Sequence, residues 1–108
     1  MALRPPSRRS AALGRETGED VLGHELLEEM AISLGRAGRI AEQALSRLRE
    51  HKGTPQERVK LLSAAAESVH AYFIQRELCG LRRHDDVIRD FEIPREVLVR
   101  LGVTERKP

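Results

Sequence analysis

Two stretches of the chain repeat apolar residues every three or four positions, and this spacing limits the fold more than any other feature. Residues at such spacing line one side of an α-helix, and in the first stretch they match the a and d positions of about three heptads. We call the two sets together the apolar seam. The seam residues are Leu27, Met30, Leu34, Ala37, Ala41, Ala44 and Leu48 in the first stretch, and Val59, Leu62, Ala66, Val69 and Phe73 in the second.

A short break between the two stretches carries the signals for a helix end and a helix start. Gly53 is the residue type that commonly closes a helix in a left-handed conformation. The segment Thr54–Glu57 then supplies a capping threonine, a proline suited to the first helical position and the glutamate of a capping box. The pattern predicts one helix over about residues 19–51 and another over about residues 55–79. Because few residues join them, we expect antiparallel packing.

The C-terminal segment predicts two short helices. The first covers about residues 83–91, and a break follows at Glu92-Ile93. The second starts at Pro94 and ends at Gly102. The expected fold class is therefore all-α, a long antiparallel helical hairpin with two short C-terminal helices folded against it.

Charge and composition set the expected domain boundaries. Residues 1–18 carry four arginines against one glutamate, together with Pro5-Pro6 and few large apolar residues. Such a composition is typical of a disordered segment. The sequence predicts a disordered basic tail over 1–18, a single helical domain over 19–103 and a frayed C-terminus over 104–108.

The overall composition argues against several classes of protein. Aromatic residues make up 3% of the chain, too few for an aromatic-rich β-sandwich or a platform of stacked bases. One cysteine permits no internal disulfide and no cysteine-based zinc site within one chain. No apolar run reaches the roughly 18 residues of a membrane span. The formal net charge of +2 gives no concentrated basic face of the kind that nucleic-acid readers carry.

Two groups of residues could carry chemistry, and each has a simpler structural interpretation. Glu67 and His70 form a Glu-x-x-His pair of the kind found in di-iron bundles, but both lie beside the seam rather than in it. Cys79 has His84 nearby as a candidate base, yet it ends an apolar stripe, where a free cysteine usually acts as a small hydrophobe. Gly-rich phosphate motifs are absent. We therefore expect no catalytic residue, no metal ligand, no cofactor and no enzymatic activity.

Residues 84–101 have the apolar spacing of a helix-turn-helix, which gives nucleic-acid binding as the alternative function. Two positions depart from the motif, since Glu92 stands where it usually has glycine and Ile88 where it has a small residue. The second helix offers Arg95 and Arg100 as contacts to nucleic acid. The structural interpretation of the same residues is a short helical pair that packs on the hairpin.

Both long helices carry more apolar residues than one partner helix can cover. An apolar patch left exposed usually marks a protein interface. We therefore expect a small protein-interaction module that forms a homodimer, with an unidentified second protein as the other candidate partner. The apolar residues outside the seam are Leu22, Leu26, Ile40 and Leu45 in the first helix, and Leu61, Ala65, Tyr72, Ile74 and Leu78 in the second.

Several segments resemble a known family. They are Phe73–Arg82, Val87–Phe91, Ile93–Val97 and Leu101-Gly102, with a weaker likeness in Glu29-Met30 and Ser33–Gly38. In them the chain resembles a family of short bacterial proteins catalogued only as a domain of unknown function. The resemblance implies a bacterial, cytoplasmic protein and supplies no activity or site residues. From the residues themselves, we interpret Gln75-Arg76-Glu77 as the polar edge of the second helix.

Overall fold

The chain folds into four α-helices within the described residues of this computed structural model, which gives the backbone for residues 6–102 and side chains for residues 20–102. The four helices are α1 (Pro6–Arg49), α2 (Pro55–Leu78), α3 (Asp85–Asp90) and α4 (Arg95–Leu101). No strand occurs over this range. The predicted fold class is confirmed: a long antiparallel helical hairpin with two short C-terminal helices.

The first helix begins earlier than the sequence predicts. It starts at Pro6 rather than near Glu19, so the predicted start was wrong. Proline suits the first position of a helix, and the alanines, arginines and leucine that follow it are strong helix formers. The predicted frayed end over 104–108 lies outside the described residues, as do the side chains of the predicted tail over 1–18, and both remain predictions.

The chain divides into two units, Met1–Ile32 and Ser33–Pro108. In the first unit the described side chains, those of residues 20–32, are exposed apart from the half-buried Met30. The second unit contains the hydrophobic core, in which the C-terminal part of α1 packs with α2, α3 and α4. The buried apolar residues of this core are Ala41, Ala44, Leu45, Leu48, Leu62, Ala65, Ala66, Val69, Phe73, Val87, Ile93, Val97 and Leu98.

The turn between α1 and α2 has the predicted capping box. The Thr54 hydroxyl accepts a hydrogen bond from the Glu57 amide at 3.1 Å, and the Glu57 carboxylate accepts one from the Thr54 amide at 3.0 Å. The predicted left-handed conformation of Gly53 was wrong, because the described glycines with positive φ are Gly80 and Gly102. A Cβ at Gly53 would lie 1.8 Å from Glu57 Oε1, so a larger residue there would displace the carboxylate that completes the capping box.

Helix α1 lies close to α2 at Gly38, where a Cβ would lie 3.2 Å from the Tyr72 ring. Tyr72 in turn stacks on Phe91, with ring centroids 5.5 Å apart, so one aromatic side chain links α1 to the end of α3. Leu45 and Ala65, which the sequence placed outside the seam, are buried in the core at 2% and 0% exposure. The core face of each helix is therefore wider than the strict a and d positions.

Candidate functional site

The N-terminal part of α1 exposes a row of large apolar side chains. Leu22, Leu26 and Leu27 leave 67%, 60% and 62% of their surface open to solvent. Leu22, Leu26 and Met30 are spaced four residues apart, so they form one line along the helix, and Leu27 lies beside it. We call these four residues the α1 stripe. Nothing among the described residues of the first unit covers it.

The surroundings of the α1 stripe are acidic. Residues 20–32 include the carboxylates of Asp20, Glu25, Glu28 and Glu29 and contain neither lysine nor arginine. Glu25 follows Leu22 by three positions, and Glu29 follows Leu26 by the same spacing. Residues three apart are neighbours on a helix surface, so these two carboxylates flank the stripe on one side.

The structure brings only part of the predicted seam together. Leu27 and Val59 are exposed, at 62% and 55%. Met30, Leu34 and Ala37 are half-buried. The buried seam residues are Ala41, Ala44 and Leu48 of α1 and Leu62, Ala66, Val69 and Phe73 of α2. The hairpin core thus uses the C-terminal half of the α1 seam.

A second partly apolar surface lies where α4 packs on α2. A shallow groove there is lined by Leu62, Pro94 and Val99, with the charged side chains of Arg95, Glu96 and Arg100 around them. We call this surface, with its six lining residues, the α2–α4 groove. One turn before Leu62, Val59 extends the exposed apolar surface of α2.

The α2–α4 groove carries a surplus of positive charge. Its one carboxylate, Glu96, is paired with the guanidinium of Arg58, whose Nη1 donates to Glu96 Oε1 at 3.1 Å. The hydrogen bond from Arg58 lowers the pKa of the Glu96 carboxyl. Arg100 donates to the Ser63 hydroxyl at 3.2 Å. Arg95 and Arg100 are exposed and form no ion pair within residues 20–102, although the charge of Arg100 also helps to lower the pKa of Glu96.

These two arginines are also the residues assigned to nucleic-acid contact in the alternative function. The α3–turn–α4 segment has a helix-turn-helix order, and Glu92 at the turn adopts a left-handed backbone, with φ of 52°. This is the conformation for which glycine is usually selected at that position. Glu92 therefore adopts a positive φ although it is not glycine.

A buried arginine at the end of α2 forms a network that the sequence did not reveal. The side chain of Arg76 is 9% exposed. Its Nε donates to His84 Nδ1 at 3.0 Å, and its Nη2 donates to the Arg83 carbonyl at 2.8 Å and to Asp86 Oδ1 at 3.3 Å. The prediction that Arg76 lies on the polar edge of α2 was wrong, because the segment between α2 and α3 folds back over it.

The hydrogen bonds of this network indicate which nitrogen of the His84 ring carries the proton. Since Arg76 Nε can only donate, His84 Nδ1 accepts, and the ring proton lies on Nε2, which donates to Glu77 Oε2 at 3.0 Å. The ring also stacks on Phe73, with centroids 4.0 Å apart. Both nitrogens are therefore engaged, which leaves no imidazole nitrogen to act as a base on Cys79. We interpret this cluster as the connection that positions α3 against α2.

The other candidate chemistry does not assemble. Glu67 and His70 are both exposed. Over the described side chains, no group of three or more histidine, cysteine, aspartate or glutamate residues is arranged to hold a metal ion. In the same part of the chain, no helix is both long and apolar enough to cross a membrane.

Comparison with known proteins gives one match. A family model with the description "Family of unknown function (DUF6665)" matches residues 1–108. No curated protein and no solved structure matches the chain.

Proposed function

We propose that this chain, which belongs to the family of unknown function DUF6665, is a self-associating protein-interaction module that forms a homodimer. The observation that carries the proposal is the α1 stripe, a line of leucines exposed on a helix surface and not covered by the described residues of its own unit. The proposal includes the absence of enzymatic activity. It also includes the bacterial origin and cytoplasmic location that the family resemblance implied.

The physical argument rests on the contrast between two parts of one helix. From Ala41 onward the apolar face of α1 is buried in the core, whereas Leu22, Leu26 and Leu27 remain open. Full burial of an exposed leucine side chain contributes about 1.5–3 kcal/mol. Three such residues per chain give self-association a favourable term that can exceed the entropy lost on pairing. A homodimer doubles this contribution because a two-fold interface buries both copies of the stripe.

Sedimentation equilibrium of the full chain at micromolar concentration tests the proposal. We expect a dimer mass for the natural sequence and a shift toward monomer for Leu22→Gln/Leu26→Gln. The matched control is Val21→Gln/Ile32→Gln, which replaces two exposed apolar residues that lie on the other side of Glu25 from Leu22 in the same helix segment. A monomer mass for the natural chain at high concentration would reject the homodimer. Equal loss of dimer in both variants would reject the stripe as its interface.

Nucleic-acid binding by residues 84–101 is the second candidate, and the left-handed turn at Glu92 favours it. If Arg95 and Arg100 contact phosphates, affinity for duplex DNA falls steeply with salt. Titration of fluorescent duplex DNA at two salt concentrations tests this function. Binding that is absent at low salt would exclude it.

A further inference from the structure

We propose that the α1 stripe of one molecule binds in the α2–α4 groove of a second molecule, so that the homodimer forms through two unlike surfaces. This inference rests on the proposed self-association and specifies its geometry. The juxtaposition is reciprocal, because each chain carries one stripe and one groove. In the proposed dimer each chain places its stripe in the groove of the other, so a two-fold axis relates the two contacts.

Charge argues first against pairing of two α1 stripes with each other. The stripe is flanked by Glu25 and Glu29, and residues 20–32 contain no lysine or arginine to offset them, His24 being the one imidazole in this range. Two such segments side by side would bring carboxylates together in both chains. Like charges brought together across an interface weaken association and suppress that partner.

The α2–α4 groove has the opposite charge and a matching apolar floor. Leu62, Pro94 and Val99 offer apolar surface, and the exposed Arg95 and Arg100 line the same groove. Neither arginine forms an ion pair within residues 20–102, although Arg100 lies near enough to Glu96 to help lower the pKa of that carboxyl. An apolar helix face with acidic flanks that lies in an apolar groove with basic edges is a common mode of helix recognition. Burying the leucines against this floor places the flanking carboxylates near the arginines.

A competing surface at the other end of α2 is less suitable. It exposes Ile74 and has Arg82 and Arg83 nearby, so it also combines apolar and basic residues. However, Glu77 and Asp85 lie in the same surface, and Asp85 forms an ion pair with Arg83. The positive charge there is offset locally, whereas in the α2–α4 groove the only carboxylate is already occupied by Arg58.

Charge reversal tests the pairing. We expect Arg95→Glu/Arg100→Glu and Glu25→Arg/Glu29→Arg each to raise the dimer dissociation constant by about tenfold or more, because each places like charges across the contact. The chain that carries all four substitutions should recover a dissociation constant within about threefold of the natural value, since the attraction is restored in the reverse sense. Sedimentation equilibrium measures each constant, and circular dichroism checks that every variant is folded.

The matched control is Arg36→Glu/Arg47→Glu, which makes the same change in net charge at two exposed positions of α1. If Arg95→Glu/Arg100→Glu dimerises as well as this control, the groove is not the binding surface, although the homodimer itself stands. If the natural chain forms a tighter dimer with the Glu25→Arg/Glu29→Arg variant than with another natural chain, the two stripes face each other in the dimer. This result would overturn the inference. A natural chain that stays monomeric overturns both proposals.

Discussion

The Arg76 network offers the sharpest test of how the C-terminal helices are held. Replacement of Arg76 by methionine keeps an apolar chain of similar length but removes every donor to His84 Nδ1, the Arg83 carbonyl and Asp86. A hydrogen bond to a charged group contributes about 1.5–3 kcal/mol. Asp86 is 59% exposed, so water can replace its hydrogen bond to Arg76. The loss of stability therefore comes from the other two hydrogen bonds, to His84 and to the Arg83 carbonyl.

The expected loss in the free energy of unfolding is therefore the contribution of those two hydrogen bonds. It is reduced because Arg76→Met no longer requires a charged guanidinium to be removed from water. Replacing a whole buried ion pair with apolar groups can recover about 1–4 kcal/mol, and Arg76→Met replaces only the buried member of its pair, so the recovery is at the lower end of that range. We expect Arg76→Met to lower the free energy of unfolding by about 2–4 kcal/mol. Arg76→Lys should lower the free energy of unfolding by less than Arg76→Met. It should still be less stable than the natural chain, because one ammonium group cannot reach three acceptors in the geometry of a guanidinium.

Urea unfolding followed by circular dichroism measures the change. All variants are compared at one protein concentration, because self-association makes apparent stability depend on it. Arg82→Met is the matched control, since Arg82 is exposed and makes no hydrogen bond to the other described residues. If the free energy of unfolding of Arg76→Met lies within about 0.5 kcal/mol of that of Arg82→Met, the network does not hold α3 against α2.

Two further predictions concern the hairpin turn and the α2–α4 contact. Thr54→Ala should lower the free energy of unfolding by about 1 kcal/mol, whereas Thr54→Ser, which keeps the hydroxyl, should cost less. Because Arg58 holds the pKa of Glu96 below its usual 4.5 in the folded chain, the unfolded chain takes up this proton more readily. The free energy of unfolding should therefore fall as pH decreases from about 4.5 through the lower pKa of Glu96 in the folded chain. Glu96→Gln should make this fall smaller, as measured by thermal unfolding at neutral and acidic pH.

Local signals in the sequence were sufficient to predict most of the helical architecture. The capping box at Thr54–Glu57 depends on residues three positions apart, so its parts are visible in the sequence and both hydrogen bonds are present in the structure. The end of α4 at Gly102, which adopts a φ of 77°, is equally local. The start of α1 was missed because proline at a first helical position can equally belong to a loop.

Features that depend on distant partners could not be predicted in the same way. Leu45 and Ala65 were placed outside the seam because a strict heptad ignores the additional surface that α3 and α4 cover. Arg76 was assigned to a polar edge because its type is usually exposed. Only the path of residues 80–84 brings the Arg83 carbonyl and His84 to its guanidinium.

The candidate interaction surfaces were predicted in part. The excess of apolar residues on α1 was visible in the sequence, and Leu22 and Leu26 are exposed as expected. The α2–α4 groove was not predicted, because its floor comes from residues more than thirty positions apart, such as Leu62 and Val99. Arg95 and Arg100 were found through the helix-turn-helix pattern, which relates them to nucleic acid rather than to an acidic helix.

The continuity of α1 has a consequence for how protection from solvent is distributed along it. The first turn is the costly step in forming a helix, and each later residue adds one hydrogen bond to a turn that already exists. Residues 41–48, held in the core, therefore nucleate the helix for residues 20–32. Amides of the packed segment exchange with deuterium only when the core opens, whereas those of residues 20–32 exchange through local fraying. One uninterrupted helix should thus show two levels of exchange protection, and binding of a second copy should raise the lower one.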